Sequence, residues 1–343
     1  MRVGLIGTGA IAHKHAQAYQ NIGFQLIACA SFQADKARRF AEQYRAEFVS
    51  SFEDLCRRPD VDFIDVCTFP EYRLQAVQLC ATSRKHIQVQ KPIALDLDTA
   101  RQMVEIARSG GILLGVISQH RFDDASLFLE RALNEGRLGK LLQCDCSVKW
   151  YRSSEYYSRP GKGRWTTEGG GALINQAIHQ IDLLRWLAGP VHSVCGEWQL
   201  GALHAIESED VVSAVVRYSS GATGIIQAST AFWPGYPERL EFHGTKGSAA
   251  IVGDRIASWD IKEDCGPPPP QPRQEKSGAS DAMAISLEPF ERQFLDFAEA
   301  IYHGRQPTVS GVEGLQALEV VDAIYRSCRT QQKVLLQQAT TVG

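Results

Sequence analysis

The sequence has no cluster of basic residues and little net charge. Its 36 Lys and Arg residues are offset by 39 Asp and Glu residues, which leaves a formal charge of -3. This balance argues against a general nucleic-acid-binding surface or a surface for anionic membranes. No apolar run is long enough to span a bilayer, and nothing at the N-terminus resembles a signal peptide. We therefore expect no nucleic-acid partner, no membrane insertion and a cytoplasmic location.

The sequence also lacks a cysteine pattern typical of disulfides or structural zinc. Its nine cysteines are an odd number, scattered through predicted helices and strands, which indicates reduced and packed thiols. Cys144 and Cys146 share one face of a predicted strand, but no second ligand pair stands at zinc spacing. We expect no metal. The 343 residues, 44% hydrophobic and 22% charged, are typical of a globular protein with two domains.

A nucleotide-binding turn follows the first predicted strand, residues 2–6. The turn has the pattern G-x-G-x-x-A and consists of Gly7, Thr8, Gly9, Ala10, Ile11 and Ala12. The first glycine makes the tight turn, the second lets the backbone approach a pyrophosphate, and the small alanine lets the following helix pack on its strand. The N-terminus of that helix faces the anion. Because a strand precedes the turn and a helix follows it, the pattern predicts a bound dinucleotide.

The acidic residue that would hold the adenosine ribose hydroxyls of NAD is missing at the end of the second predicted strand. Ser31 stands there instead, and a neutral hydroxyl does not repel a 2′-phosphate as a carboxylate would. This favours NADP. However, the arginine that usually accompanies such a serine is absent at position 32, so Lys36 or Arg38 would supply the positive charge. Either cofactor, NADP or NAD, stays open.

Strands and helices alternate over the first 120 residues, which predicts an α/β Rossmann domain with a parallel sheet. Longer alternating runs after Arg121 predict an antiparallel sheet, with hairpins at 219–222 and 244–247. These predicted strands cover residues 141–151, 191–200, 211–218, 223–230, 239–243 and 248–252. We expect a dinucleotide-binding domain over 1–120 and a substrate-binding and oligomerisation domain over 121–343.

Proline-rich residues 265–280 predict a loop or linker, and two helices over 289–302 and 312–328 are expected to close the chain. Another predicted helix begins after the three glycines at 169–171. Steps of four and three residues place Asn175, His179 and Asp182 on one face of that helix, opposite an apolar face. This pattern favours a functional site, although an amphipathic helix with a structural histidine fits the helix alone equally well.

The motifs together resemble the Gfo/Idh/MocA oxidoreductases over nearly the whole chain. They are the turn at 7–12, Val66-Cys67-Thr68, Gln90-Lys91-Pro92, and 169–171 with His179 and Asp182. The resemblance implies a Rossmann domain followed by an α+β domain with a large open-faced antiparallel sheet, commonly used to form dimers or tetramers. It also implies oxidation or reduction of a sugar or cyclitol hydroxyl with NAD(P), and contact of Thr68, Lys91 and Pro92 with that cofactor. Lys91 would be the lysine of the family's Glu-Lys-Pro motif, whose proline often follows a cis peptide.

The expected reaction needs a base within hydrogen-bond reach of the hydroxyl. His179 is our candidate for that base, and Lys91 would hold the oxygen and stabilise its developing negative charge. Asn175 would orient the substrate through its amide. Many relatives have aspartate there, and because asparagine cannot accept a proton, the role of base shifts to His179 or Lys91.

Three residues depart from the family's pattern near the expected cofactor. Gln90 replaces the glutamate of Glu-Lys-Pro, Arg73 stands where relatives often have histidine, and Phe69 replaces a proline. None of them removes a group that hydride transfer needs. At position 90 a neutral amide must therefore replace the carboxylate in setting the orientation or the charge of the lysine. We also expect the loop that faces the cofactor to be reshaped.

A segment rich in aromatic and basic residues precedes the three glycines and would surround a sugar. Its predicted substrate residues, with those of the helix, are Arg152, Tyr156, Tyr157, Lys162, Trp165, Asn175 and His179. An interdomain loop with ordinary surface charges is the alternative. The pattern looks most like members that act at the 3-position of hexoses or hexuronates, including UDP-N-acetylglucosaminuronate 3-dehydrogenases. Nucleotide sugars, free sugars, glycosides and inositols stay open.

Two other functions remain possible from the residues. A glycosidase-like enzyme would oxidise a sugar transiently with bound NAD, and net hydrolysis without a change in cofactor absorbance would reveal it. A non-catalytic dinucleotide-binding sensor would change its assembly with sugar but never reduce the nicotinamide. The presence of both Lys91 and His179 argues against the sensor.

Overall fold

The computed structural model describes residues 1–263, 266, 268 and 286–336, which divide between two compact units. The first unit contains residues 1–119 and 286–315; the second contains 120–285 and 316–343, so far as they are described. Residues 286–315, which we expect from the sequence to belong to the second domain, instead pack with the first unit. Their helix buries Phe294 and Phe297, whose rings lie 4.4 Å from Tyr19 and 5.3 Å from Phe63. The predicted loop at 265–280 lies outside the described residues, apart from 266 and 268.

The first unit has a six-stranded parallel sheet with the strand order β3-β2-β1-β4-β5-β6. This is the order of a dinucleotide-binding Rossmann fold, so the predicted fold class is confirmed. The strands are β1 (Arg2–Ile6), β2 (Gln25–Ala30), β3 (Glu47–Phe48), β4 (Phe63–Val66), β5 (His86–Val89) and β6 (Leu114–Val116). The helices are α1 (Ala10–Asn21), α2 (Ala34–Tyr44), α3 (Phe52–Arg57), α4 (Arg73–Thr82) and α5 (Leu97–Ser109), with a 3-10 turn at Pro70–Tyr72.

The second unit has an eight-stranded, mostly antiparallel sheet with the order β13-β12-β11-β7-β10-β9-β8-β14. Its strands are β7 (Leu141–Lys149), β8 (Val191–Leu200), β9 (Glu209–Tyr218), β10 (Thr223–Ser229), β11 (Arg239–Gly244), β12 (Gly247–Val252), β13 (Arg255–Ile261) and β14 (Val334–Leu335). Both predicted hairpins are present, between β9 and β10 and between β11 and β12. One pair departs from the expected antiparallel sheet, because β7 and β10 pair in parallel.

The remaining helices complete the described chain. They are α6 (Asp124–Asn134), α7 (Ser154–Tyr157), α8 (Trp165–Glu168), α9 (Ile178–Ala188), α10 (Glu288–His303) and α11 (Gly311–Thr330), with a 3-10 turn at Gln119–Phe122. The helix predicted after the glycines is not uniform: a π-helical turn at Leu173–Ala177 precedes α9. Such turns widen a helix locally and are frequent at functional sites. Among the described residues, we find no helix that combines the length and the apolarity of a membrane span.

Candidate active site

The turn between β1 and α1 has the shape that its glycines predicted. Gly7 has φ of +94°, and a Cβ atom there would lie 2.9 Å from the backbone of Cys67 and Thr68, so only glycine fits. At Gly9 the space that a Cβ would occupy is open. No side chain caps the N-terminus of α1, and its first turn has no acidic residue. The positive end of the helix is therefore available to a phosphate group.

A second feature of this turn also fits a bound dinucleotide. The Thr68 hydroxyl is buried and has no hydrogen-bond partner within the described part of the chain. Buried polar groups normally have a partner, so this hydroxyl has an unused bond to offer a ligand. Thr68 also lies directly beside Gly7, the first glycine of the turn. The residues present thus fit the phosphate end of the cofactor.

Ser31 lies at the edge of a surface cavity of about 500 Å³. Arg38 lines the same cavity, with its guanidinium 4.5 Å from the centre of the Phe48 ring. The exposed Phe32 packs against Phe52, with ring centroids 4.8 Å apart. The cavity therefore combines a hydroxyl, a cation and aromatic faces, which suits the adenosine end of a dinucleotide. Its lining also includes the carboxylate of Glu53, which pairs with Arg57 at 2.6 Å.

Arg73 holds the turn that carries Lys91. The Lys91-Pro92 peptide is cis, and the Arg73 guanidinium donates hydrogen bonds to the carbonyl oxygens of Gln90 and Pro92, on either side of Lys91. It also donates to the carbonyl oxygen of Thr68, at 2.8 Å from Nη2. Arg73 is only 3% exposed. One buried cation thus ties the lysine turn to the loop that touches the glycine turn.

Gln90 joins a buried chain of hydrogen bonds. Its Nε2 lies 2.7 Å from Nε2 of His15, and Nδ1 of His15 lies 2.6 Å from Asp65 Oδ2. The Tyr19 hydroxyl donates to the same Asp65 oxygen at 2.7 Å. Because an amide nitrogen can only donate, these partners assign the proton of His15 to Nδ1. A glutamine is therefore complementary to this histidine, in the place where the family's motif has a carboxylate.

Asp65 also belongs to a compact group with His15 and Cys67, whose possible ligand atoms lie within 4.8 Å of one another. The Cys67 sulfur is 3.4 Å from Nδ1 of His15 and 3.8 Å from Asp65 Oδ2. Burial, together with the nearby Asp65, raises the pKa of Cys67 well above its usual value. We therefore describe the group as part of the hydrogen-bond chain that supports Gln90.

In the second unit, the side chain of Asn175 is fixed by the glycine segment itself. Its Nδ2 donates to the carbonyl oxygen of Gly170 at 3.1 Å and to that of Gly171 at 3.3 Å. Its own N–H bonds to the Gly171 carbonyl at 3.1 Å. The orientation of the Asn175 amide therefore depends directly on the position of the glycines.

His179, one turn further on, lies beside a second histidine. The rings of His120 and His179 meet edge-on with centroids 5.3 Å apart, and Nδ1 of His120 is 2.8 Å from Asp123 Oδ2. Burial would lower the pKa of His120, but Asp123, with Glu238 and Asp254, outweighs burial and raises it above its usual value. A positive charge on His120 would oppose a second positive charge on the adjacent ring of His179.

Asp182, the third residue of the predicted polar face, has a structural partner. Its carboxylate forms a buried two-point ion pair with Arg121, at 2.7 and 2.5 Å. A pair of this geometry anchors α9 to the turn at Gln119–Phe122, which also carries His120. One member of the expected polar face, Asp182, therefore also has an anchoring role.

Three of the predicted substrate residues cluster around one aromatic ring. The guanidinium of Arg152 lies 5.8 Å and the ammonium of Lys162 lies 5.0 Å from the centre of the Tyr156 ring. Lys162 also pairs with Glu168. Gln176, next to Asn175 in sequence, donates to the Tyr156 hydroxyl at 3.3 Å, so the cluster adjoins the helix that carries His179.

Tyr157 adjoins this cluster, with its ring centroid 5.0 Å from that of Tyr156, whereas Trp165 has other surroundings. The Tyr157 hydroxyl is 2.7 Å from Thr230 Oγ1, and its ring is 4.5 Å from that of His204. Trp165 packs on Trp198 and Tyr325, at 5.6 and 5.2 Å. The structure therefore does not bring Trp165 into the Tyr156 cluster.

Sequence reasoning missed three residues that contact the predicted groups. His15 supports Gln90, His120 touches His179, and Glu209 accepts hydrogen bonds from the backbone of Gly171 and Leu173. His15 stands three residues after the glycine pattern, on the same predicted helix, so its position in the sequence could have indicated a role near the cofactor turn. Glu209 is distant in sequence from the glycines, and no local pattern indicates its partner.

Two family models match the chain. The oxidoreductase family with an NAD-binding Rossmann fold matches residues 1–118, and the GFO/IDH/MocA C-terminal domain matches residues 127–250. The chain belongs to the Gfo/Idh/MocA oxidoreductases. It is therefore an NAD-binding dehydrogenase, as the motifs predicted.

Relatives of this Gfo/Idh/MocA oxidoreductase extend over its full length. The myo-inositol 2-dehydrogenase of Thermotoga maritima is 27% identical and covers 98% of this chain and 99% of its own. The 1,5-anhydro-D-fructose reductase of Ensifer adhaerens is 28% identical, with 96% and 97% covered. Among solved structures, the WlbA dehydrogenase of Bordetella pertussis, in complex with NADH and UDP-GlcNAcA, is 27% identical with a TM-score of 0.88, covering 99% of this chain and 98% of its own.

Proposed function

We propose that the protein transfers a hydride between a nicotinamide cofactor and a secondary hydroxyl or ketone of a sugar, sugar derivative or cyclitol. The observation that carries this proposal lies in the first unit: Arg73 ties the lysine turn to the loop of Thr68, and that loop touches the glycine turn. A lysine held beside a phosphate-binding turn suits redox chemistry at a carbinol. The named relatives are dehydrogenases and a reductase of sugars and cyclitols, which favours this reaction over the glycosidase-like and sensor alternatives.

In this proposal each reacting group has one task. The nicotinamide supplies or accepts the hydride when it is bound. His179, whose ring contacts that of His120, takes the hydroxyl proton during oxidation and returns it during reduction. Lys91 stabilises negative charge on the oxygen, and the fixed amide of Asn175 orients the sugar.

The substrate side of the proposal involves Arg152, Tyr156 and Lys162, with Tyr157 near them. The Tyr156 ring offers an apolar face to a sugar, and the cations beside it are suited to a carboxylate or phosphate. Trp165 is not included, because its contacts are with Trp198 and Tyr325.

For the cofactor, we propose that the adenosine end accepts NADP as well as NAD. Ser31 and Arg38 line one cavity, so a 2′-phosphate would meet a hydroxyl and a cation there. This supports Arg38, rather than Lys36, as the source of positive charge. The family establishes NAD binding; the choice between the two cofactors is the part that needs measurement.

We also propose assembly into a homodimer or homotetramer through the exposed face of the second sheet. Cys195, Val215 and Ile225 are paired neighbours across β8, β9 and β10, and all three are exposed. An apolar row of this kind is typical of a surface that a second copy covers. Light scattering tests this: Val215→Glu should give a smaller species than the unmodified protein.

For the location, we propose a reducing compartment such as the cytoplasm, because cysteines stay reduced there. The eight cysteines that the structure describes are free, and Cys56 and Cys80 stay unbridged with sulfur atoms 3.6 Å apart. Cell fractionation of the native protein tests the location.

The deciding experiment measures the absorbance of reduced nicotinamide after the protein is mixed with NAD or NADP and with each member of a panel of sugars. The panel contains inositols, hexoses, glycosides, hexuronates and UDP-sugars. A rise with one class would support the proposal and identify cofactor and substrate together. Net glycoside hydrolysis at constant absorbance would instead favour transient oxidation. Cofactor binding with no reaction across the panel, accompanied by a sugar-dependent change in assembly, would favour the sensor.

A further inference from the structure

The glycine segment before the catalytic helix is held by a buried carboxylate from another part of the second unit. Glu209, at the start of β9, is fully buried. Its Oε2 accepts the N–H of Gly171 at 2.8 Å, and its Oε1 accepts both the N–H of Leu173 and the hydroxyl of Tyr325, each at 2.8 Å. One side chain thus satisfies two backbone donors that the helix leaves unpaired at its start.

The same two residues explain why this segment needs glycine. A Cβ atom at Gly171 would lie 1.8 Å from the backbone oxygen of Glu209, and one at Gly170 would lie 2.2 Å from the Tyr325 hydroxyl. Real Cβ atoms do not approach backbone so closely. The glycines therefore provide the space that Glu209 and Tyr325 occupy. This close packing leaves the segment little freedom to shift.

The side chains proposed to act in catalysis come directly after this segment in the sequence. The Asn175 amide is bound to the carbonyl oxygens of Gly170 and Gly171, and His179 stands four residues further along the same helical stretch. A displacement of the glycines would therefore turn the Asn175 amide first and move the base with it. Errors of about 1 Å in such groups can cost roughly 100-fold in rate.

We propose that Glu209, held by Tyr325, is a positioning residue of the redox reaction: it fixes the glycine segment and through it Asn175 and His179. This inference rests on the roles proposed for Asn175 and His179. The charge form matters, because a carboxylate accepts all three hydrogen bonds, whereas a glutamine amide would point donors at a donor. Burial raises the pKa of Glu209 to about 7 despite the bonds from Leu173, Tyr325 and Gly171, so the carboxylate that accepts all three bonds becomes the major form only as the pH rises through 7.

Other titratable groups near Glu209 belong to α11 and β8. Glu209 raises the pKa of Tyr325 and, with Glu197, that of Cys328, both after the dominant effect of burial. Arg329 lies over the Tyr325 ring at 5.8 Å. Cys328 and Arg329 lie near the pair of Glu209 and Tyr325, so a pH dependence of the rate could not be assigned to Glu209 alone. The test must therefore include substitutions.

The experiment compares Glu209→Gln, Tyr325→Phe and the double variant Glu209→Gln with Asn175→Ala, using the sugar and cofactor that the unmodified protein turns over. Glu197→Gln, the same change at an exposed position of β8, is the matched control. We expect kcat to fall by about 10- to 100-fold in Glu209→Gln, with the Kd of the reduced cofactor unchanged. With Asn175→Ala alone measured beside it, the double variant should lose less than the product of the two separate losses, because both changes act partly through the Asn175 amide. Tyr325→Phe keeps the carboxylate and should give a smaller loss of kcat.

Other results would overturn the inference. Wild-type kcat in Glu209→Gln, beside an inactive His179→Ala, would refute Glu209 as a positioning residue and leave the proposed function intact. Additive losses in the double variant would assign Glu209 to general stability. Equal turnover of the unmodified protein and His179→Ala would refute the catalytic role of His179 on which this inference rests, whereas no turnover of any sugar by the unmodified protein would refute the proposed function itself. If Glu209→Gln does not fold, as judged by circular dichroism, Tyr325→Phe combined with Asn175→Ala provides the same cycle, and additivity there is again the refuting result.

Discussion

The ring of His120 meets the ring of His179 edge-on, with centroids 5.3 Å apart. Asp123 holds the other side of His120, at 2.8 Å from its Nδ1. The pKa of His120 is raised because Asp123 outweighs burial, which favours the charged form of the ring next to the proposed base. A like charge disfavours protonation of His179, so Asp123 acts on the base through its neighbour.

We predict that Asp123→Asn moves the acid limb of the kcat/KM profile to higher pH, by roughly one unit for a unit charge at this distance. Without the carboxylate, the pKa of His120 falls, its charge is lost at lower pH, and His179 becomes easier to protonate. The measurement is a kcat/KM profile from pH 5 to 9. Asp124→Asn, at the exposed neighbouring position, should leave the profile unchanged, and a shift of the limb to lower pH in Asp123→Asn would contradict the argument.

The proposed base and the proposed oxygen-binding cation give a second prediction. Lys91→Ala and His179→Ala should each lower kcat by at least about 100-fold, the usual contribution of a positioned proton-transfer group, while the Kd of reduced cofactor stays within about threefold. Steady-state rates and fluorescence titration measure the two quantities. His192→Ala, at an exposed position of β8, should behave as the unmodified protein. Near-normal turnover in both variants would end the catalytic assignment.

Arg73 gives a third prediction, because its guanidinium reaches the carbonyl oxygens of Thr68, Gln90 and Pro92. A lysine at this place has no planar fork and cannot serve the three acceptors together. We expect Arg73→Lys to lower kcat by about 10- to 100-fold. Added guanidinium at a non-denaturing concentration should restore part of the activity of Arg73→Ala, whereas methylammonium should not. Equal responses to the two cations would show that the position needs only positive charge.

The nucleotide-binding half could be predicted well because its signals are local. The turn at 7–12, its flanking strand and helix, and the positions of Lys91 and Pro92 all follow from short patterns whose geometry involves neighbouring residues. The apolar face of the glycine-led helix was equally readable, since Leu173, Ile174 and Ile181 are buried as the periodicity indicated.

The supporting contacts could not be predicted because they join residues far apart in sequence. Glu209 lies 38 residues from Gly171, and Gln90 lies 75 residues from His15. Asp182 shows the converse: its spacing is that of a site residue, but Arg121, 61 residues away, makes it an anchor. Helical periodicity indicates which face a side chain shares, and only the tertiary partner decides what that side chain does.

The buried carboxylate of Glu209 gives a prediction about stability. Its pKa is about 7 in the folded protein against an ordinary value of 4.5, so a proton binds the folded state more tightly. Its favourable contribution is therefore complete below pH 4.5 and is lost as the pH rises through 7. The difference corresponds to about 3 kcal/mol. In urea titrations between pH 5 and 8, Glu209→Gln should lose less free energy of unfolding with rising pH than the unmodified protein, while Glu197→Gln should follow the unmodified protein. Equal slopes in all three would contradict the shift.

The cofactor preference depends on whether Ser31 and Arg38 meet a 2′-phosphate in their shared cavity. Ser31→Asp would place a carboxylate there, which repels the phosphate but can accept hydrogen bonds from the ribose hydroxyls of NAD. We expect this variant to weaken NADPH binding by about 100-fold and to keep or strengthen NADH binding, a change of roughly 2.7 kcal/mol for NADPH alone.

Arg38→Ala should weaken NADPH binding by about tenfold without affecting NADH binding, and Lys36→Ala, on the same helix, should affect neither. Fluorescence titration with both reduced cofactors separates these cases. Equal losses of NADPH binding in the Arg38 and Lys36 variants would mean that the charge acts at long range, and unchanged NADPH binding in Ser31→Asp would place the 2′-phosphate elsewhere.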